Sequence, residues 1–259
     1  MMEFRTFFLI AMLIISASCE DKPHALEGPF FTEFGIKYDQ RTRRPVTGSI
    51  LTYQENGQLE FKEDYRDGVP HGVHEYFFEN GQLEKRKNYN RGQTHGVEES
   101  FFENGKRRSI IHYKNGLPDG QSKTFFDNGN PRYEGNVTKG VAEGIHTRYS
   151  EKTGFVVTKA AFKNGLLNGK CQSYYRNKTN NGVINFQGHF INNVPHGTME
   201  WFRKDGSLHT KIEYIKGEKS DVTSTDLNLE ATPQIPRSDI CYVDVSVTTA
   251  AIPWNKGAY

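Results

Sequence analysis

The sequence predicts an all-β fold: an elongated, single-layer, right-twisted antiparallel meander of about seven stacked β-hairpins. Three observations predict it. Glycines recur at intervals of 24 to 28 residues, an Asn-Gly or Asp-Gly pair lies inside almost every interval, and aromatic residues keep a constant offset from the glycines. A fixed period in this range is typical of repeat proteins whose units pack on their neighbours.

Each repeat is expected to contain one tight turn. Asn-Gly and Asp-Gly favour the type I′ hairpin turn, because both of its central residues need a positive φ. Asn or Asp precedes every glycine of this turn series except one, which follows Thr153. The predicted structural turn residues are Gly57, Gly81, Gly105, Gly129, Gly154, Gly182 and Gly206.

This turn assignment predicts an order of stability for two glycine variants. Gly105 lies in the turn series, whereas Gly135 lies mid-strand and outside every glycine series. A position that requires a positive φ tolerates a β-branched side chain poorly. We therefore expect Gly105→Val to destabilise the protein more than Gly135→Val.

Two aromatic columns accompany the glycines. The main ladder lies five residues after the glycine that opens each repeat: Tyr53, Phe77, Phe101, Phe125, Tyr149, Tyr174 and Phe202. The next position adds a second column of rings, at Phe78, Phe102, Phe126 and Tyr175. Successive strand residues point to opposite faces, so the second column is predicted on the face opposite the main ladder. Another part of the chain could cover it, but we interpret it as an exposed partner-binding strip.

The succession Gly-x4-aromatic, Asn-Gly, Leu and Tyr-x2-Gly resembles the MORN repeat in its bacterial variant form, over residues 46–219. The resemblance implies a scaffold, a dimerisation device or a lipid-binding module. Many bacterial relatives carry the label of antitoxin of a toxin–antitoxin system, which adds an antitoxin or immunity role as an alternative. A homodimer is also left open.

The first 18 residues are predicted to be a signal peptide. Arg5 precedes an apolar run over residues 6–15, which is too short to cross a bilayer but suits an export signal. The stretch IISASCE resembles a bacterial lipobox, which implies that Cys19 is lipidated and anchors the mature chain to a membrane. Glu20 implies the outer membrane of a Gram-negative bacterium. Conventional cleavage, giving a soluble periplasmic or secreted protein, is the alternative.

The rest of the chain divides into an N-terminal lead-in over 19–45, seven repeats over 46–219, a linker over 220–239 and a tail over 240–259. Cys241, Val243, Val245 and Val247 alternate with polar residues, which predicts a strand that caps the array. Cys171 and Cys241 either pair or remain free thiols.

No catalytic residue, cofactor site or metal site is predicted. His71, His95 and His196 precede repeat glycines, but equivalent residues in adjacent hairpins lie about 10 Å apart, too far for shared zinc ligation without other side chains. A net charge of +2 argues against a nucleic-acid partner. We therefore expect a non-enzymatic, envelope-anchored module that binds a protein, with lipid binding and neutralisation of an envelope-acting toxin as alternatives.

Overall fold

The computed structural model describes residues 25–176 and 182–224. Within these ranges the chain forms twenty β-strands and no helix, and hence no helix long and apolar enough to cross a membrane. The strands are β1 (Phe30–Glu33), β2 (Ile36–Asp39), β3 (Gly48–Tyr53), β4 (Leu59–Arg66), β5 (Val69–Pro70), β6 (Gly72–Phe77), β7 (Leu83–Asn90), β8 (Gln93–Thr94), β9 (Gly96–Phe101), β10 (Arg107–Lys114), β11 (Leu117–Phe125), β12 (Pro131–Thr138), β13 (Val141–Tyr149), β14 (Val156–Lys163), β15 (Leu166–Tyr174), β16 (Ile184–Ile191), β17 (Val194–Pro195), β18 (Gly197–Phe202), β19 (Leu208–Ile215) and β20 (Glu218–Ser224).

The long strands pair antiparallel in chain order, so the predicted all-β meander is confirmed. Seven hairpins follow one another: β3–β4, β6–β7, β9–β10, β11–β12, β13–β14, β15–β16 and β18–β19. The second strand of each hairpin also pairs with the first strand of the next, and β19 pairs with β20. The repeats therefore form one continuous sheet.

The Asn-Gly turns differ from the predicted type. In the second repeat the Phe78 N–H donates to the Gln82 carbonyl at 2.8 Å, and the Gly81 N–H donates to the Phe78 carbonyl at 2.9 Å. Gly81 has a φ of 78°, whereas Asn80 has no positive φ. The type I′ assignment is therefore wrong at these turns, because one left-handed residue is enough to close a loop of this length.

Paired positive φ angles occur instead where one repeat connects to the next. Asp67 has a φ of 53° and Gly68 a φ of 75°, the combination that defines a type I′ turn. The same combination recurs at every later connection: Arg91–Gly92, Asn115–Gly116, Lys139–Gly140, Asn164–Gly165, Asn192–Asn193 and Lys216–Gly217.

The turn asparagines join neighbouring repeats through their side chains. Asn80 Oδ1 accepts from the Gln82 N–H at 2.9 Å, while Asn80 Nδ2 donates to the Glu103 carbonyl of the next turn at 3.1 Å. Asn56, Asn104 and Asn128 donate to the following turn in the same way. The seventh hairpin carries Asp205, whose carboxylate accepts from the Ser207 N–H at 2.9 Å. Asn thus fits positions that must both accept and donate.

Asn104→Asp is expected to lower the free energy of unfolding by about 0.5–1.5 kcal/mol, because a carboxylate cannot donate to the Asp127 carbonyl. The matched control is Asp205→Asn, which keeps the acceptor used in the last turn and should leave stability unchanged. Urea unfolding at pH 7 measures both. Equal stability of the two variants would show that the inter-repeat bond contributes nothing.

The core lies on the sheet face that carries the second residue after each repeat-opening glycine, called here the inner face. All seven of these residues are buried: Ile50, His74, Glu98, Ser122, His146, Cys171 and Met199. The predicted main ladder lies an odd number of residues away and therefore points to the other face. Its rings are half-buried, apart from Tyr53, which is 58% exposed. The main ladder is thus not part of the buried face.

The lead-in caps the first repeat. The Lys37 N–H in β2 donates to the Gly68 carbonyl at 2.8 Å, and the Gly68 N–H donates to the Val46 carbonyl at 2.7 Å. These bonds anchor the β1–β2 hairpin to the first type I′ connection. They satisfy backbone groups that would otherwise face solvent at the start of the array.

At the other end the predicted linker begins too early. Residues 220–224 continue β20, because their backbone pairs with β19. Residues 225–239 of the linker, the tail over 240–259, the signal peptide over 1–18 and Cys19 lie outside the described residues, so predictions about them stay predictions.

Candidate binding site at the hairpin turns

The candidate partner-binding residues Phe78, Phe102, Phe126 and Tyr175 all follow the last residue of a hairpin's first strand and are half-buried. The turn fixes the backbone of the three phenylalanines from two sides, and that of Tyr175 through its N–H to the Val183 carbonyl. The Phe126 N–H donates to the Asn130 carbonyl and the Gly129 N–H donates to the Phe126 carbonyl, both at 2.9 Å. Rings held this way keep one position relative to the sheet, which reduces the entropy that they lose on binding.

The two aromatic columns meet at this edge rather than separating onto opposite faces. Phe77 and Phe78 line one cleft, and Phe101 and Phe102 line another. Strand alternation does not place Phe78, because β6 ends at Phe77 and the next residue already belongs to the turn. The second column is therefore part of the hairpin-turn edge of the sheet.

Arginine side chains lie over two of the rings. The Arg108 guanidinium carbon is 5.7 Å from the Phe102 ring centroid, and the same distance separates Arg132 from the Phe126 ring. Both arginines lie three residues after a turn glycine, where the first two repeats have Glu60 and Glu84. This position therefore changes sign along the array, a signal that the sequence analysis missed.

The clefts along the turn edge change charge in the same direction. The first, of about 710 Å³, is lined by four carboxylates and no cation: Glu55, Glu60, Glu79 and Glu84. A middle cleft of about 410 Å³ contains both signs, with Arg108 opposite Glu103 and Asp127. A third, of about 550 Å³, is lined by Arg132, Arg148, Lys152 and Arg176, with Glu151 as its one carboxylate. The edge thus runs from acidic at repeats 1 and 2 to basic at repeats 4 to 6.

Salt does not average out this gradient. The screening length at physiological ionic strength is about 8 Å, and equivalent turns lie about 10 Å apart. A ligand at one cleft therefore responds mainly to the charges of that cleft. A ligand that spans several clefts responds to the whole gradient.

Tyr149 gives the basic cleft a neutral hydrogen-bonding group. Its hydroxyl donates to Glu134 Oε1 at 2.5 Å. Burial, together with the neighbouring Glu134 carboxylate, raises the pKa of Tyr149 above its ordinary value. The phenol therefore stays protonated, and no anionic oxygen from it offsets the cations of this cleft.

The three histidines that precede repeat-opening glycines contribute backbone hydrogen bonds between strands. Each of the three, His71, His95 and His196, lies between a two-residue strand and the following six-residue strand. The backbone N–H donates to a carbonyl of the preceding eight-residue strand, at Asp64, Asn88 and His189, over 2.8–3.0 Å. Within 25–176 and 182–224 no three His, Cys, Asp or Glu side chains converge in a way that could hold a metal ion.

A buried imidazole occupies the inner face of the fifth repeat. His146 Nε2–H donates to the Glu143 carbonyl at 3.2 Å, which leaves Nδ1 to accept from the Tyr133 hydroxyl at 2.5 Å. Burial lowers the pKa of His146 below its ordinary value of 6.5, against the smaller opposing effect of its carbonyl partners. This histidine is a neutral part of the core.

Stability is therefore expected to fall as the pH drops below 6.5, because the unfolded chain protonates His146 before the folded chain does. The contribution is fully present above pH 6.5 and is lost towards the lowered pKa of the folded state. Urea midpoints at pH 7.5 and 5.5 measure it. His146→Asn should be less stable than the wild type and show a smaller pH dependence. An unchanged pH dependence in the variant would assign the effect to other groups.

The hairpin geometry agrees with a known repeat. A family model described as MORN repeat variant matches residues 47–67, 70–91, 94–115 and 118–139. Four of the repeats are thus similar to MORN repeat variants. The matched segments include Phe78, Phe102 and Phe126, while Tyr175 lies in a later hairpin of the same architecture. No curated protein matches the chain.

Proposed function

We propose that the protein is a non-enzymatic repeat scaffold that binds a protein partner along its hairpin-turn edge and is held in the cell envelope by a lipidated Cys19. The observation that carries the proposal is the charge gradient along a row of aromatic clefts. MORN repeats, which the first four hairpins resemble, suggest a protein-binding or membrane-binding module.

The gradient favours a protein over a membrane. An anionic bilayer would attract the basic cleft at repeats 4 to 6 and repel the acidic cleft at repeats 1 and 2. A polypeptide with a basic segment and an acidic segment complements both ends at once. Turns one to five span about 40 Å, the length of roughly 12 extended residues. The rings add the apolar contact area on which protein interfaces depend.

The test is affinity capture from an envelope extract with the mature chain. The binding variant combines Phe78→Ser, Phe102→Ser and Phe126→Ser, and the control is Phe34→Ser, which removes a 98% exposed ring in the β1–β2 turn. Circular dichroism verifies folding. A protein retained by the wild type and the control but lost by the folded triple variant supports the proposal. Equal retention by all three chains contradicts it.

The lipid alternative is tested with the same chains. Vesicles of phosphatidylglycerol should bind no more chain than vesicles of phosphatidylcholine, because the acidic end opposes contact. Salt-sensitive binding to phosphatidylglycerol that the triple variant loses would assign the edge to membranes. If the captured partner is an envelope-acting toxin, the scaffold has the immunity role that the antitoxin label suggests.

Envelope anchoring is tested separately. Labelled palmitate should be incorporated into the wild-type chain but not into Cys19→Ser, and the variant should move from the membrane fraction to the soluble fraction. Membrane association that survives the substitution without label would contradict lipidation at Cys19.

A further inference from the structure

Cys171 indicates that another segment of the chain lies on the inner face. This residue is the second after its repeat-opening glycine, is fully buried and is disulfide-bonded. The chain contains two other cysteines, Cys19 and Cys241, and both lie outside the described residues. A disulfide brings two Cα atoms to about 5.5 Å, so the partner segment must pass directly over the inner face at the sixth repeat.

Chain length selects the partner. Ser224 ends β20, four strand spacings or about 19 Å from β15. The 17 residues from Ser224 to Cys241 can reach more than 50 Å, so Cys241 reaches Cys171 easily. Leu26 is bridged to Ile50 in β3, ten strand spacings or about 48 Å from β15 along the sheet. Cys19 lies seven residues before Leu26, a reach of about 25 Å at most.

The burial pattern locates the covered area. In the sixth and seventh repeats, inner-face side chains are almost fully buried, including Phe186, Met199 and Ile212 at 0% exposure. The corresponding positions of the second repeat, such as Lys85 and Lys87, are only half-buried. Both sets belong to the same sheet, and the seventh repeat lies near its end, where exposure should rise. The inner faces of repeats 4 and 5 are buried as well, at Tyr133, His146 and Ala160. The covered area therefore includes repeats 6 and 7 without being confined to them.

We propose that residues 240–247 bind across the inner face of repeats 6 and 7 as an extended segment, fastened by a Cys171–Cys241 disulfide. Once Cys241 points to the sheet, the period of two in a strand also directs Val243, Val245 and Val247 towards it. These side chains meet the apolar cluster of Phe186, Met199 and Ile212. The segment makes the inner face of these repeats a closed core and leaves the turn edge free for a partner.

The bond also fits an oxidising compartment. Its formation converts two thiols to one disulfide, and the two electrons and two protons pass to a disulfide-carrying oxidoreductase of that compartment. In a reducing cytosol the dithiol would persist and the segment would be held by apolar contacts alone.

Peptide mapping of the mature full-length chain under non-reducing conditions tests the pairing. The peptide containing Cys171 should be linked to the peptide containing Cys241 and should separate from it after dithiothreitol treatment. A link to Cys19, a link to a second copy of the chain, or an unlinked Cys171 would each overturn the proposal. Cys241→Ser should lower the melting temperature by about 5–15 °C.

Trp201 reports whether residues 240–247 lie over the face. It is 8% exposed and packs on Phe186 with ring centroids 5.1 Å apart. In a Trp254→Phe background with the disulfide intact, Val243→Asp plus Val245→Asp should shift its emission to the red and increase acrylamide quenching. Asp244→Ala plus Ser246→Ala, which alter the opposite side of the segment, should leave the spectrum unchanged. Equal spectra for both double variants would overturn the placement.

Discussion

Phe186→Ala is expected to lower the free energy of unfolding by about 3–5 kcal/mol, the range for truncating a fully buried aromatic side chain. Phe186 has no exposed surface, and its ring packs at a tilt of 59° against Trp201. The Met199 side chain lies on the same cluster. Removal of the ring leaves a cavity inside a sheet whose backbone cannot collapse without losing its ladder of hydrogen bonds.

The matched control is Phe202→Ala, which removes the same ring from a half-buried position on the other face. It should cost about 1 kcal/mol, because part of its area is already in water. Urea unfolding of both variants at pH 7.5 measures the difference. A Phe202 variant as unstable as the Phe186 variant would show that the face of the main ladder contributes as much to the core as the inner face.

The sequence could predict the repeat and its strands, because the glycine period and the turns depend on backbone conformation. A positive φ restricts a position to few residue types, so such positions can be recognised in the amino-acid sequence. The error over the type I′ turns has a local cause. Asn80 is selected by its side-chain bond to the Glu103 carbonyl rather than by its own φ.

The core face could not be predicted, because its most buried column has no common chemistry. The His74 imidazole is hydrogen-bonded to the Asp64 carbonyl at 2.7 Å, and the Glu98 carboxylate forms an ion pair with the Lys87 ammonium at 3.0 Å. His74, Glu98 and His146 each have a partner in a neighbouring strand. A search for a repeating apolar residue therefore cannot identify this buried column.

Part of the candidate site could be predicted. The second aromatic column is visible in the sequence, but its position at the turn edge depends on where each first strand ends, one residue earlier, at Phe77, Phe101 and Phe125. The change from Glu60 and Glu84 to Arg108 and Arg132 can be seen in the sequence once the repeats are aligned on their turn glycines. The clefts themselves depend on how successive turns stack.

Gly135→Val is expected to destabilise the protein more than Gly105→Val, the reverse of the order that the glycine series predicts. A Cβ at Gly135 would lie 2.6 Å from His146 Nδ1 and 2.6 Å from the Tyr133 hydroxyl oxygen, on both members of a buried hydrogen-bonded pair. Overpacking and the loss of that bond together cost about 2–5 kcal/mol.

A side chain at Gly105 would have more space than one at Gly135. It has a φ of 77° in an exposed turn, so a side chain there costs about 1–2 kcal/mol of backbone strain. Its Cβ would meet Gln82 Oε1 at 2.8 Å, the end of a flexible side chain that can move into solvent. Urea unfolding of the two variants determines the order. If Gly135→Val also loses the pH dependence assigned to His146, the clash with that imidazole is the cause of the destabilisation. If Gly105→Val instead lowers the free energy of unfolding more, backbone conformation outweighs packing in this sheet.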